Sequence, residues 1–215
     1  MQDSLKQLER KAWRANFQDG LQEIGLGLMI LAFAMAFYFE GVGLLFPWNI
    51  LVFLTPALLV PLVGKYVITR PRIGLVKYGP TRQSTQKKLL VVSIFSTLVL
   101  VILVIMTRIG VFPGESVNSL PGITFMGIVG LVVIIFMGFI AYMLDFPRMF
   151  FIGIVIGSSV IVHEALYIYT GLSRTPANLI SYGTAGGIIL VTGVVLLLRF
   201  LRNYPLPAME ANDAR

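Results

Sequence analysis

A histidine and an acid stand side by side in the fifth long apolar stretch of this chain, at His163 and Glu164. Ser159 precedes the histidine by four residues and Tyr167 follows it by four, so these three side chains share one stripe of a helix. A charged acid deep in hydrocarbon costs about 2.5 to 3.5 kcal/mol, and it usually faces protein or a water-filled cavity. Imidazole changes its charge near neutral pH. The pattern indicates a site for a proton, an ion or a small solute.

Two other apolar stretches carry polar residues that could complete this site. Counted from Phe150, His163 lies about 20 Å along its helix, in the outer half of a membrane. The residues that could reach this level from the first and sixth stretches are Glu40, Asn178, Ser181, Tyr182 and Thr184. The sequence therefore predicts an intramembrane polar site made of Glu164, His163, Ser159, Tyr167 and Glu40. The alternative is a purely structural clamp, in which hydrogen bonds hold the helices together.

The sequence offers little support for metal binding or catalysis. A zinc site needs three or four His, Cys or carboxylate ligands, and the chain has one histidine and no cysteine. The run from His163 to Tyr167 lacks the second histidine of the metalloprotease motif. Ser159 and His163 could pair as nucleophile and base, but no oxyanion hole is recognisable. We expect no metal, no cofactor and no enzymatic activity, with an enzyme acting on lipid as the weakest alternative.

The elements that would position these residues are membrane helices. Hydrophobic residues make up 57% of the 215 residues and charged residues only 13%, whereas about a quarter of residues are charged in soluble domains. About 20 apolar residues span a bilayer as a helix. Six stretches qualify: Leu21 to Phe39, Trp48 to Ile68, Leu89 to Thr107, Ile123 to Leu144, Met149 to Thr170 and Leu179 to Leu201. We predict an all-α polytopic membrane bundle of six transmembrane helices, forming one domain over residues 21–201.

The basic residues predict the orientation of this bundle. With the N-terminus inside, all of the 17 Lys and Arg residues except Arg108 and Arg174 fall on the cytoplasmic side, as the positive-inside rule requires. Both termini are then cytoplasmic, and the protein is integral to the plasma (cell inner) membrane. The net charge of +7 is explained by topology, so we expect no nucleic-acid partner.

Three cytoplasmic segments follow from this topology. Residues 1–20 form an amphipathic tail, which we predict to be an interfacial helix, with a partner-docking helix as the alternative. Residues 69–88 form a basic loop without an acid, and residues 202–215 form the C-terminal tail. Anionic lipid headgroups attract such basic segments. The residues predicted to bind headgroups or a partner are Arg70, Arg72, Lys77, Arg82, Lys87 and Lys88.

Small residues and prolines predict how the helices pack. Pairs of glycines four residues apart allow close helix contact, which we expect at Gly153 with Gly157 and at Gly183 with Gly187. Pro56 and Pro61 should kink or open the second helix. The third stretch has no glycine, so we place it at the lipid-exposed periphery. In the fourth stretch, glycines lie close to one face at positions Gly127, Gly130 and Gly138.

Two functions fit these features. The first is a non-catalytic membrane component that anchors a partner through its basic tail and loop, with the lipid bilayer and anionic headgroups as surroundings. The second is a small oligomeric transporter or channel whose pathway includes Glu164, His163 and the second helix. Its partner would be a second copy or another membrane protein. The two halves show no internal repeat, which lowers the transporter alternative.

Overall fold

The computed structural model describes residues 17–41, 48–73 and 122–205, and all regular structure in these ranges is helical. Five long helices and one short helix occur in them, together with a π-helical turn at Lys65–Thr69. The α-helices are α1 (Leu21–Gly41), α2 (Trp48–Gly64), α3 (Arg70–Ile73), α4 (Gly122–Leu144), α5 (Arg148–Thr170) and α6 (Arg174–Asn203). The third predicted stretch, residues 1–16 of the tail and residues 74–88 of the loop lie outside the described residues.

Three of the described helices are long and apolar enough to cross a membrane, over Met126–Leu144, Arg148–Thr170 and Arg174–Asn203. A shorter apolar helix covers Leu21–Met35 in α1. The last helix begins at Arg174 rather than at the predicted Leu179. Pro176 does not prevent this earlier start, because a proline in the first turn of a helix removes no hydrogen bond within the helix.

The chain divides into two compact units, and the division falls inside α6. Unit 1 contains α1, α2, the π-helical turn, α3 and the part of α6 from Gly183 onward. Unit 2 contains α4, α5 and the part of α6 that ends at Tyr182.

In unit 1, glycines let α1 pack closely against both of its neighbours. A methyl group added at Gly25 would lie 2.6 Å from the Pro61 ring on α2. On another face of α1, a methyl group at Gly27 would lie 2.6 Å from the Leu190 backbone nitrogen on α6, and one at Gly193 would meet Ile24 at the same distance. These distances are far below ordinary contact, so only glycine fits. The predicted pair at Gly183 and Gly187 does not make this contact, because no described residue lies within 4 Å of an added methyl group there.

The second helix stays helical through both prolines, and its irregularity follows them. Pro61 cannot donate a hydrogen bond to the Ala57 carbonyl, and Gly25 of α1 lies against this carbonyl and the Pro61 ring. The π-helical turn begins one turn later, at Lys65. The predicted local opening therefore occurs at the end of α2 rather than at the prolines themselves.

In unit 2, α4 and α5 form an antiparallel hairpin. An added methyl group at Gly130 would lie 2.6 Å from the Gly157 carbonyl oxygen, and one at Gly153 would clash with Met137. The predicted contact role of Gly153 and Gly157 is thus confirmed. The hairpin turns at Asp145, which has a φ of 54°, a left-handed conformation that aspartate adopts more readily than most residues.

Candidate functional site

The polar residues of α5 lie where α5 and α6 meet in unit 2. Gly171 ends α5 in the left-handed conformation, with a φ of 67°, and α6 begins three residues later. This short connection brings the first turns of α6 beside the last turns of α5. Glu164 is 8% exposed there, and Asn178 and Ser181 of α6 are buried.

His163 lies against α6. Its ring stacks on Tyr182 with 5.7 Å between ring centroids and 25° between ring planes. The imidazole also interacts with the backbone of Ala177, and both His163 and Tyr182 interact electrostatically with Glu164. The Nδ1 atom of His163 is buried and has no hydrogen-bond partner among the described residues. We call His163, Glu164 and Tyr182 the histidine cluster.

The hydroxyl groups near the histidine cluster bond to their own helices. Ser159 donates to the Ile156 carbonyl oxygen at 2.6 Å, and Ser181 donates to the Ala177 carbonyl oxygen at 2.7 Å. The single proton of Ser159 is therefore directed away from His163. Bonds of this kind satisfy a buried hydroxyl without any partner helix, so the pairing of Ser159 with His163 as nucleophile and base is not formed.

Other residues predicted to belong to the site are exposed or lie outside the described residues. Tyr167 is exposed, and the guanidinium of Arg174 lies 5.1 Å from its ring centroid. Thr184 is exposed on the part of α6 that belongs to unit 1. Glu40 lies in α1, but its side chain is outside the described residues.

A second cluster of buried charged residues lies in unit 1, and it was not predicted from the sequence. Asp19 is 0% exposed, Glu23 is 1% exposed and Thr69 is 4% exposed. The Asp19 carboxylate accepts a hydrogen bond from the Thr69 hydroxyl at 2.8 Å and another from the Leu21 backbone N–H at 3.2 Å. We call Asp19, Glu23, Lys65 and Thr69 the acid–lysine cluster.

Two sources of positive charge allow these carboxylates to be buried. The first turn of α1 carries the positive end of the helix dipole, which stabilises nearby anions, and its Leu21 N–H donates to the Asp19 carboxylate. The Lys65 ammonium interacts electrostatically with both Asp19 and Glu23. Its Nζ atom also lies 5.1 Å from the Phe17 ring centroid. Paired in this way, buried charges can hold two helices in one register.

The π-helical turn brings Lys65 and Thr69 to the same side of the chain. It closes with the Arg70 backbone N–H donating to the Lys65 carbonyl oxygen. Short π-helical turns inside α-helices often occur at functional sites. Here the turn directs one cation and one hydroxyl toward the start of α1.

The sequence does contain a signal for the acid–lysine cluster. Glu23 lies inside the first predicted span, so the criterion that selected Glu164 applies to it as well. We interpreted Lys65 only as a cytoplasmic charge, and Asp19 only as part of the amphipathic tail. Phe17 is buried as well, so the end of that tail packs into unit 1.

Of the six basic residues predicted to bind headgroups or a partner, the structure describes two. Arg72 donates a hydrogen bond from its guanidinium to the Tyr204 carbonyl oxygen at 3.3 Å, which joins the end of α3 to the end of α6. Arg70 is exposed and lies 5.0 Å from the Tyr66 ring centroid. The other four lie outside the described residues: Lys77, Arg82, Lys87 and Lys88.

No three His, Asp or Glu side chains in the described ranges are grouped so that they could hold a metal ion. The chain matches no protein-family model, and no curated protein or solved structure matches it.

Proposed function

We propose that this chain is a non-catalytic membrane component that anchors a partner at the cytoplasmic face of the plasma (cell inner) membrane. In this proposal it has six spans, with both termini in the cytoplasm. Three polar segments would present the partner-binding surface: the N-terminal tail, the basic loop after α3 and the C-terminal tail.

The observation that carries this proposal is that all three polar segments leave unit 1 at one end. The Asp19 carboxylate is hydrogen-bonded to Thr69, which places the end of the tail beside the start of the loop. Arg72 is hydrogen-bonded to Tyr204, which places the start of the loop beside the start of the C-terminal tail. The distribution of basic residues supports the cytoplasm as the side that this end faces.

The absence of cysteine from the chain makes the topology directly testable. We expect single cysteines at Ser4, Ser84 and Asn212 to react with a membrane-impermeant maleimide only after the cells are opened. A cysteine at Ser116, in the third connection, should react in intact cells. Labelling of Ser4 or Asn212 variants in intact cells would overturn the orientation.

The anchoring role is tested by copurification after crosslinking in cells. A partner should be retained by the wild-type protein and lost when Lys87 and Lys88 are neutralised. The matched control is Arg174→Gln, which removes a cation from the opposite side and should keep the partner. Equal retention by all variants would contradict anchoring through the loop.

The histidine cluster favours a second candidate function, a small transporter or channel for a proton or cation. The specific observation is a buried Glu164 whose electrostatic partners, His163 and Tyr182, are an imidazole and a phenol. In reconstituted vesicles, flux that vanishes in Glu164→Gln and His163→Ala would support transport. Loss of thermal stability alone would support the structural clamp.

A further inference from the structure

At one end of unit 1, exposed apolar faces of two helices give way to arginine. Along α2 and the π-helical turn that follows it, large apolar side chains are exposed up to Val67. The next exposed side chain is Arg70, at the start of α3. Along α6, they are exposed up to Leu198, and Arg199 and Arg202 follow. A change from exposed apolar residues to arginine marks the passage from hydrocarbon to headgroups in a membrane protein.

The two helix ends lie at the same level of unit 1. The hydrogen bond from Arg72 to the Tyr204 carbonyl oxygen joins them. Tyr66 is 67% exposed at this level, and tyrosine is enriched where the hydrocarbon meets the headgroups. Two independent helices therefore place the same boundary at one end of the unit.

The arginines at this boundary present positive charge that the described acids of unit 1 do not offset. Asp19 and Glu23 are buried in the acid–lysine cluster. Arg70 lies against the face of the Tyr66 ring, and stacking on a ring face leaves the N–H groups at the edge of a guanidinium free to bind an anion. Two of those N–H groups match the spacing of phosphate oxygens.

We propose that Arg70, Arg199 and Arg202, the arginine rim, bind the phosphate groups of anionic phospholipids in the cytoplasmic leaflet. This inference rests on the proposed orientation and names the lipid that the membrane component selects. Arg72 is a positioning residue, because its guanidinium holds the end of α6 next to the end of α3.

The test compares lipid selectivity among folded variants reconstituted in phosphatidylcholine vesicles with and without phosphatidylglycerol. Electron paramagnetic resonance of spin-labelled lipids measures how strongly phosphatidylglycerol is preferred over phosphatidylcholine at the protein surface. We expect the wild-type protein to prefer phosphatidylglycerol and Arg70→Gln or Arg202→Gln to reduce its affinity about five-fold each. Arg174→Gln, which removes an equal charge elsewhere, should have a smaller effect.

Three results would overturn the proposal. The first is an unchanged selectivity in Arg70→Gln and Arg202→Gln. The second is a reduction in Arg174→Gln as large as in those variants. The third is competition by free inorganic phosphate at matched ionic strength, which would identify a soluble phosphate as the ligand. Arg72→Gln should lower the thermal midpoint, and a loss of selectivity without a loss of stability would assign Arg72 to the rim instead.

The result of the lipid-selectivity test can be distinguished from the results that test the proposed function. Cysteine labelling reports the orientation and crosslinking reports the partner, while lipid selectivity depends on the arginine rim alone. A correct topology with unchanged lipid selectivity would therefore reject the rim and retain the membrane component.

Discussion

The acid–lysine cluster of unit 1 and the histidine cluster of unit 2 bury carboxylates in different surroundings. Asp19 and Glu23 lie at the start of a helix, with a hydroxyl donor and an ammonium group beside them. Glu164 lies within α5 and interacts electrostatically with the imidazole of His163 and the phenol of Tyr182. Burial alone therefore does not indicate function. An ammonium group and the start of a helix offset the buried carboxylates of unit 1, and the different groups beside Glu164 are the reason that transport is proposed as its alternative role.

The greatest loss of stability should follow removal of the counter-charge from the acid–lysine cluster. Lys65→Met preserves the length of the side chain and leaves two buried carboxylates without their ammonium group. Breaking one side of a buried pair is strongly destabilising, so we expect a loss of about 3 kcal/mol in the free energy of unfolding. The measurement is unfolding in mixed detergent micelles. Arg202→Met, at an exposed position, is the control and should unfold like the wild-type protein.

A smaller effect is expected from the hydrogen bond between Thr69 and Asp19. Thr69→Val removes the hydroxyl that donates to the buried Asp19 carboxylate. The free energy of unfolding should fall by about 1 to 3 kcal/mol. Thr192→Val is a matched control, because the Thr192 hydroxyl is exposed and donates to the Ile188 carbonyl oxygen of its own helix. Similar losses in both variants would show that the cluster is not a clamp. In the double variant with Asp19→Asn, the losses should not add.

The histidine cluster should respond differently to loss of its acid. Glu164→Gln keeps the shape of the side chain and its capacity for hydrogen bonding, so we expect a change in the free energy of unfolding below about 1 kcal/mol. If the protein is the proposed transporter, proton or cation flux should fall sharply in the same variant. A stability loss as large as that of Lys65→Met, with flux unchanged, would make the two clusters equivalent and Glu164 a clamp.

The smallest effect is expected at the stacked ring. Tyr182→Phe keeps the contact with His163 and removes only the hydroxyl, so stability should change by a few tenths of a kcal/mol, about the size expected for a substitution that leaves packing intact. Tyr142→Phe, at a highly exposed position, is the control. If Tyr182→Phe abolished flux without unfolding the protein, the phenol would belong to the pathway rather than only to the packing.

Local patterns predicted the long helices that the structure describes, and they singled out two residues of the histidine cluster. The fourth and fifth stretches match α4 and α5 to within one residue at each end. His163 and Glu164 were selected because polar groups inside apolar stretches are costly, and this cost is visible in sequence. Tyr182 was named only among the residues that could reach their level, and Tyr167 was the tyrosine of the predicted site. The close packing of Gly153 and Gly157 of α5 against α4 was likewise predicted from the spacing of these two glycines.

Contacts between distant residues were not predictable in this manner. Thr69 lies 50 residues from Asp19, and no periodicity relates them. On α6, Gly186 lies against Leu31 of α1 and Gly193 lies against Ile24, whereas Gly183 and Gly187 do not meet α1. Both pairs are equally small, so the sequence could not indicate which face of α6 meets α1. Likewise, the sequence could not indicate that Arg72 bonds within the protein while Arg70 is exposed.

Long apolar helices that contain a few polar residues could be predicted from the amino-acid sequence alone. This follows from local physics, because a backbone in hydrocarbon must satisfy its hydrogen bonds within the helix. Which of these polar residues lie beside an oppositely charged or hydrogen-bonding group became clear only from the packing of the helices. The reason is that a buried charge is stabilised by groups brought close in space, and the way helices pack decides which groups those are.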